Sequence, residues 1–166
     1  MTTCPFAETA KKIAATAGLT SDSTLHTVSR WHLRLAFIGA TIAAQNEDQD
    51  QSTEADRRGN IADALRNIAI DAASTLFDLG VADPVAAFVV EWERAAVKHP
   101  GMTLDAGGHT DETRFYALAE EVGEVAAALT YDNALETGHK ADLIAEVTQV
   151  GALALAWLTR YQDGEN

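Results

Sequence analysis

LAEEVGEVAAAL, residues 118–129, decides how the chain folds and where its chemistry lies. The stretch is built from good helix formers and holds no proline. On a helix, residues three and four apart share a face, so Leu118, Glu121, Val122, Val125 and Leu129 form one stripe. Glu121 lies inside that apolar stripe. Glu124 flanks it on the same side, and Glu120 sits further round towards solvent. Burying an unpaired carboxylate costs several kcal/mol, and neighbouring acids repel each other as well. A pair turned inward therefore needs cations.

The last helical stretch repeats the pattern. Asp142, Glu146, Gln149 and Leu153 follow i, i+4, i+7, i+11 and form a single line, bordered by Leu143, Val147, Val150, Ala154 and Trp157. Two helices joined by a short loop pack antiparallel, which lets the two acidic lines face each other. The converging oxygen donors are the hard-ligand set that Mg²⁺ accepts. Spacing alone also fits a solvated rim on which the acids pair with Lys98, Arg114, Lys140 or Arg160.

Outward from these stretches, helical periodicity recurs and alternation with period two does not. Helices are expected over about 5–17, 25–45, 61–79, 84–97, 111–131 and 140–161. Ser21, Asp22 and Ser23 offer caps for the second, whose face carries Trp31, Leu35, Ile38 and Ile42. Gly80 stops the third, and Asp83-Pro84 launches the fourth as an N-cap followed by proline. NEDQDQSTEADRRGN, residues 46–60, reads as a mobile polar loop. Its Asp48, Asp50 and Ser52 mimic a calcium loop, but Thr53 and Gly59 stand where that loop needs Gly and Glu. KHPGMTLDAGGH, residues 98–109, reads as a second loop. Six helices and no strand make an all-α helical bundle.

An internal echo links the halves. LAFIGATIAA at 35–44 resembles 118–128, and ADALRNIAIDAASTL at 62–76 resembles ADLIAEVTQVGALAL at 141–155, in the same order. Duplication and a shared amphipathic pattern both account for it. Under duplication, Ile38, Thr41, Asn67 and Ile70 stand where the second half has Glu121, Glu124, Glu146 and Gln149. The chain then divides into an N-terminal half, 1–82, packing on a metal-binding half, 83–166, as one compact unit.

Composition narrows the function. A net charge of −13 on 166 residues repels nucleic-acid backbones and anionic membranes. The uncharged run 147–158 is too short to span a bilayer and reads as a buried helix. No secretory signal opens the chain, and a single cysteine, Cys4, fits a reducing cytoplasm.

Glu121-Val-Gly-Glu124 followed by Glu146-Val-Thr-Gln149 resembles the ExxE…ExxD signature of the MazG-like all-α nucleoside triphosphate pyrophosphohydrolases. The approach segment ERAAVKHPGMTLDAGGHTDETRFYALAEE is similar too, and the likeness covers about 84–161. It implies a MazG-like four-helix core and subunits that pair, here as a possible homodimer. It also implies Mg²⁺-dependent hydrolysis of a nucleoside triphosphate to monophosphate and pyrophosphate, with Mn²⁺ as a substitute ion. Carried onto this chain, Glu121, Glu124 and Glu146 hold metal, completed by Gln149 or Asp142. Glu120 and Glu121 are the catalytic candidates, Glu120 orienting or deprotonating water. Lys98, Arg114, Lys140 and His99 are candidates to meet substrate, as is His109, while Trp92 and Trp157 read as core. Gln149 departs from the family's usual Asp, and the chain ends soon after its last helix. Both departures suit the alternative of a nucleotide- or protein-binding module without turnover.

Overall fold

The computed structural model describes residues 5–15, 24–46, 53–130 and 142–163. Six helices fill them: α1 (Pro5–Ala14), α2 (Thr24–Asn46), α3 (Glu54–Asp78), α4 (Pro84–Lys98), α5 (Asp111–Ala128) and α6 (Leu143–Asp163). No strand occurs among the described residues, so the fold is an all-α helical bundle.

The central element is α6, because its sequence carries almost no charge beyond the first turn. Val147, Val150, Ala154, Leu155, Trp157 and Leu158 are fully or almost fully buried. The helix packs against α1, α3, α4 and α5, most extensively against α3. At Gly151 the approach of α4 is so close that a Cβ would lie 2.2 Å from the Phe88 ring. The absent side chain is what lets Phe88 bury completely there.

Tyr161, near the end of α6, donates to Asp111 at the start of α5 (2.7 Å). At the other end, Glu146 of α6 meets Glu121 and Glu124 of α5. The two helices therefore run antiparallel. The face of α2 falls where periodicity puts it, with Trp31, Leu35, Ile38 and Ile42 all buried. Arg30 and Arg34 of α2 both pair with the buried Asp71 of α3, which joins these two helices.

Two expectations need correction. Residues 54–60 are helix rather than loop, because Thr53 and Asp56 form a reciprocal capping box that starts α3 seven residues before Ile61; 47–52 of the expected loop lie outside the described residues. Helix α5 ends at Ala128 and α6 starts at Leu143, each a little inside the expected bounds. Ser21, Asp22 and Ser23, the expected caps of α2, lie outside the described residues, while the punctuation around α3 and α4 is as read. Asp83 caps α4 through the amide of Ala86, with Pro84 following. After α3, the Gly80 and Val81 amides bond to Phe77 and Leu76 carbonyls, with Gly80 at φ 91°. That is a Schellman stop, which needs a residue at ease in the left-handed region. No helix among the described residues is long and apolar enough to cross a membrane.

Candidate metal centre and its cavity

Helix α5 begins at Thr110, whose hydroxyl accepts from the amide of Thr113. From that start Leu118, Val122 and Val125 turn fully into the core, and Glu121, on the same stripe, is half-buried. Helix α6 begins after Asp142, whose carboxylate accepts from the Ile144 amide (3.1 Å) and whose carbonyl accepts from the Glu146 amide (3.0 Å). Antiparallel packing then brings Glu146 opposite Glu121 and Glu124. One carboxylate oxygen from each of the three lies within 4.8 Å of the others.

The electrostatics are those of crowded acids. Burial pushes the Glu121 carboxyl up to about 7, and the charges of Glu124, Glu146, Glu120 and Glu91 push the same way. Glu146 is raised as well, by burial first and then by a hydrogen bond and repulsion shared with Glu124. The Oε2 atom of Glu121 is buried without a hydrogen-bond partner among the described residues. Three carboxylates within reach of one another, one of them with a buried oxygen that has no partner among those residues, fit a hard divalent cation, which would supply positive charge.

Gln149 lies on this line, but its amide nitrogen donates to Glu146 Oε2 (2.8 Å). It holds that carboxylate in place from one turn further along α6. Asp142 is not among the three converging acids, since its carboxylate caps the start of α6 and is exposed.

Beside the cluster opens a cavity of about 490 Å³ between α4, α5, α6 and the segment after α4. Glu120, Glu121, Gln149, Lys98 and His99 all line it, so four elements bring five of the expected site residues together. Trp92 forms part of the wall. It stacks on Phe6 of α1 (centroids 5.0 Å apart, 15° between planes), and its indole N–H donates to Asp105 (3.0 Å). Trp157 is fully buried core. Lys140 lies outside the described residues.

Arg114 is a correction. It is only 4% exposed, and its guanidinium donates to the carbonyls of Leu104 (2.8 Å), Ala106 (3.0 Å) and His109 (2.5 Å) and lies 3.4 Å from Asp111. A buried cation must satisfy its donors, and Arg114 does so by folding the loop before α5 around itself. That occupies it structurally and keeps it out of the cavity beside the acids. His109 likewise lines a different pocket.

Glu91 and Arg94 of α4 escaped the sequence reading. Glu91 adds to the repulsion on Glu121 and Glu146, and both its oxygens bond Arg94 (2.7 and 2.6 Å). Both residues line the cavity. The signal was present, because Glu91 lies one turn after buried Phe88 on the inner stripe of α4.

No protein-family model matches the chain, and neither a curated protein nor a solved structure does.

Proposed function

We propose that the chain is a divalent-metal-dependent nucleoside triphosphate pyrophosphohydrolase, cleaving between the α- and β-phosphorus to leave a monophosphate and pyrophosphate. The observation that carries this reading is the convergence of Glu121, Glu124 and Glu146 on one point at the edge of a cavity. The spacing of these acids, with its resemblance to the MazG-like signature, supports the same reading. Glu121, Glu124 and Glu146 would hold Mg²⁺, or Mn²⁺ in its place. The ion would offset the triphosphate's charge and acidify a bound water.

The chain's own groups take the remaining tasks. Lys98, Arg94 and His99 line the cavity and meet phosphate oxygens. Glu120 lines it too and accepts the proton of the attacking water, whose oxygen bonds to phosphorus as the P–O bond to pyrophosphate breaks. The apolar wall of Trp92, Leu104 and Leu153 suits a nucleobase. Base and sugar preference would follow from that wall.

A second reading rests on Gln149, a neutral side chain that donates to Glu146 where the signature it resembles has an acid. On that reading the chain binds a nucleotide or a protein without turnover. Purified protein assayed with Mg²⁺ against common and damaged nucleoside triphosphates, scoring monophosphate and pyrophosphate, separates the two. Stoichiometric binding without products favours the second. Neither binding nor products rejects both.

A further inference from the structure

At the far end of α5 and α6, away from the acids, lies a second cavity of about 230 Å³ with the opposite character. Arg57 and Arg58 of α3, His109 and Arg114 from the start of α5, and Arg160 and Tyr161 of α6 line it. Four of the chain's twelve Lys and Arg residues thus meet at one place on a protein of net charge −13. The two acids on its wall are already engaged. Asp111 takes the hydroxyl of Tyr161 (2.7 Å) and faces Arg114, and Glu54 pairs with Arg58 (3.5 Å). The guanidinium of Arg58 rests over the Tyr161 ring (5.6 Å to its centre), which holds it in place.

Arg160 has no hydrogen-bond or ion-pair partner among the described residues, and its charge bears on Arg114. The buried Nε2 of His109 has no hydrogen-bond partner among them either. The unpaired guanidinium of Arg160 and the orphaned Nε2 of His109 thus share a small cavity on whose wall four cations face two acids. Drug-sized ligands fill roughly 300–1,000 Å³, and this cavity is smaller and mostly polar, so it suits a compact ion over a nucleotide. Planar guanidinium groups match phosphate oxygens in pairs.

We propose that this cavity binds a small phosphate-type oxyanion, held by Arg58, Arg160, Arg57 and His109 and independent of the acidic cluster. Such an ion bridges α3 to α6 and so ties the N-terminal helices to the pair that carries the acids.

The test is titration of the full chain with inorganic phosphate and with pyrophosphate, in EDTA and at ionic strength held constant with sodium chloride. EDTA removes the route by which a metal at the acidic cluster would recruit phosphate. Saturable binding by calorimetry is expected, with a melting-temperature rise that chloride does not give. The double variant Arg58→Gln/Arg160→Gln should weaken binding about tenfold or more, from loss of charge-assisted hydrogen bonds. Lys98→Gln, in the other cavity, should leave it unchanged. Arg160→Gln alone changes only an exposed side chain and carries the test if the double variant is unstable. Displacement of bound phosphate by ATP would assign the site to a nucleotide's phosphate tail, and failure to displace it to the free ion; both uphold the proposal. Binding that is unsaturable, equalled by chloride or indifferent to both arginine variants overturns it.

Discussion

Glu121 is held where its charge is least welcome. Its folded-state carboxyl titrates at about 7, above the ordinary 4.5, chiefly through burial and then through Glu124 and Glu146. Between those values the native state binds more protons than the unfolded chain, so stability falls as pH rises and levels off above about 7. Glu146 adds to the fall in the same direction. Metal-free denaturation curves from pH 4.5 to 8 should show the decline, and Glu121→Gln should remove much of it. Because Glu121 is only half-buried, the gain at pH 8 should be about 1 kcal/mol. A flat wild-type profile would contradict the crowding. Millimolar Mg²⁺ should raise the wild-type melting temperature by mass action and leave Glu121→Gln and Glu146→Gln unmoved. Gln149→Asp exchanges a donor to Glu146 for another negative charge, so it should lower metal-free stability. If position 149 faces the metal, calorimetric titration should also show tighter Mg²⁺ binding; unchanged affinity would assign Gln149 solely to bracing Glu146.

Helix faces were legible in the sequence wherever apolar periodicity ran unbroken, as on α2, α5 and α6. The three converging acids were legible for the same reason, since a charged residue inside an apolar stripe stands out at i, i+3 and i, i+4. The start of α3 was hidden because a polar, acidic run resembles a loop until Thr53 and Asp56 are seen as a capping box. Arg114 was hidden for a different reason. Its role depends on carbonyls up to ten residues away folding back over it, and no helical period encodes that. Gly151 likewise looked ordinary until α4 was placed against it. Gly151→Ala should cost about 1–3 kcal/mol in urea denaturation, because fully buried Phe88 has nowhere to retreat. Gly123→Ala is the control, since nothing lies within 4 Å of its added Cβ. It should stabilise by about 0.5–1 kcal/mol through helix propensity alone. Equal effects from the two would show that α4 does not press on α6.

The whole molecule is organised around a helix that cannot stand in water. Helix α6 is buried along most of its length, and α3 covers more of it than α4 or α5 does. The N-terminal helices therefore do for α5 and α6 what a partner subunit does in assemblies of small helical pairs. They bury the apolar surface around the acids without supplying acids of their own. Where the second pair meets through Glu121, Glu124 and Glu146, the first is joined through Arg30, Arg34 and buried Asp71. Among the described residues, then, one acidic centre forms. Deleting residues 1–80 removes α1, α2 and α3 together and leaves α6 open on the side α3 covers. An exposed apolar face of that size seeks another surface, so the fragment should aggregate or self-associate in sedimentation velocity and bind a hydrophobic dye. Its helical content should fall as α6 loses its packing, since isolated helices are marginal in water. A fragment that stays monomeric, helical and as heat-stable as the full chain would mean that α4, α5 and α6 form a complete unit. The first half would then be an appendage, and the likeness between the two helix pairs chance.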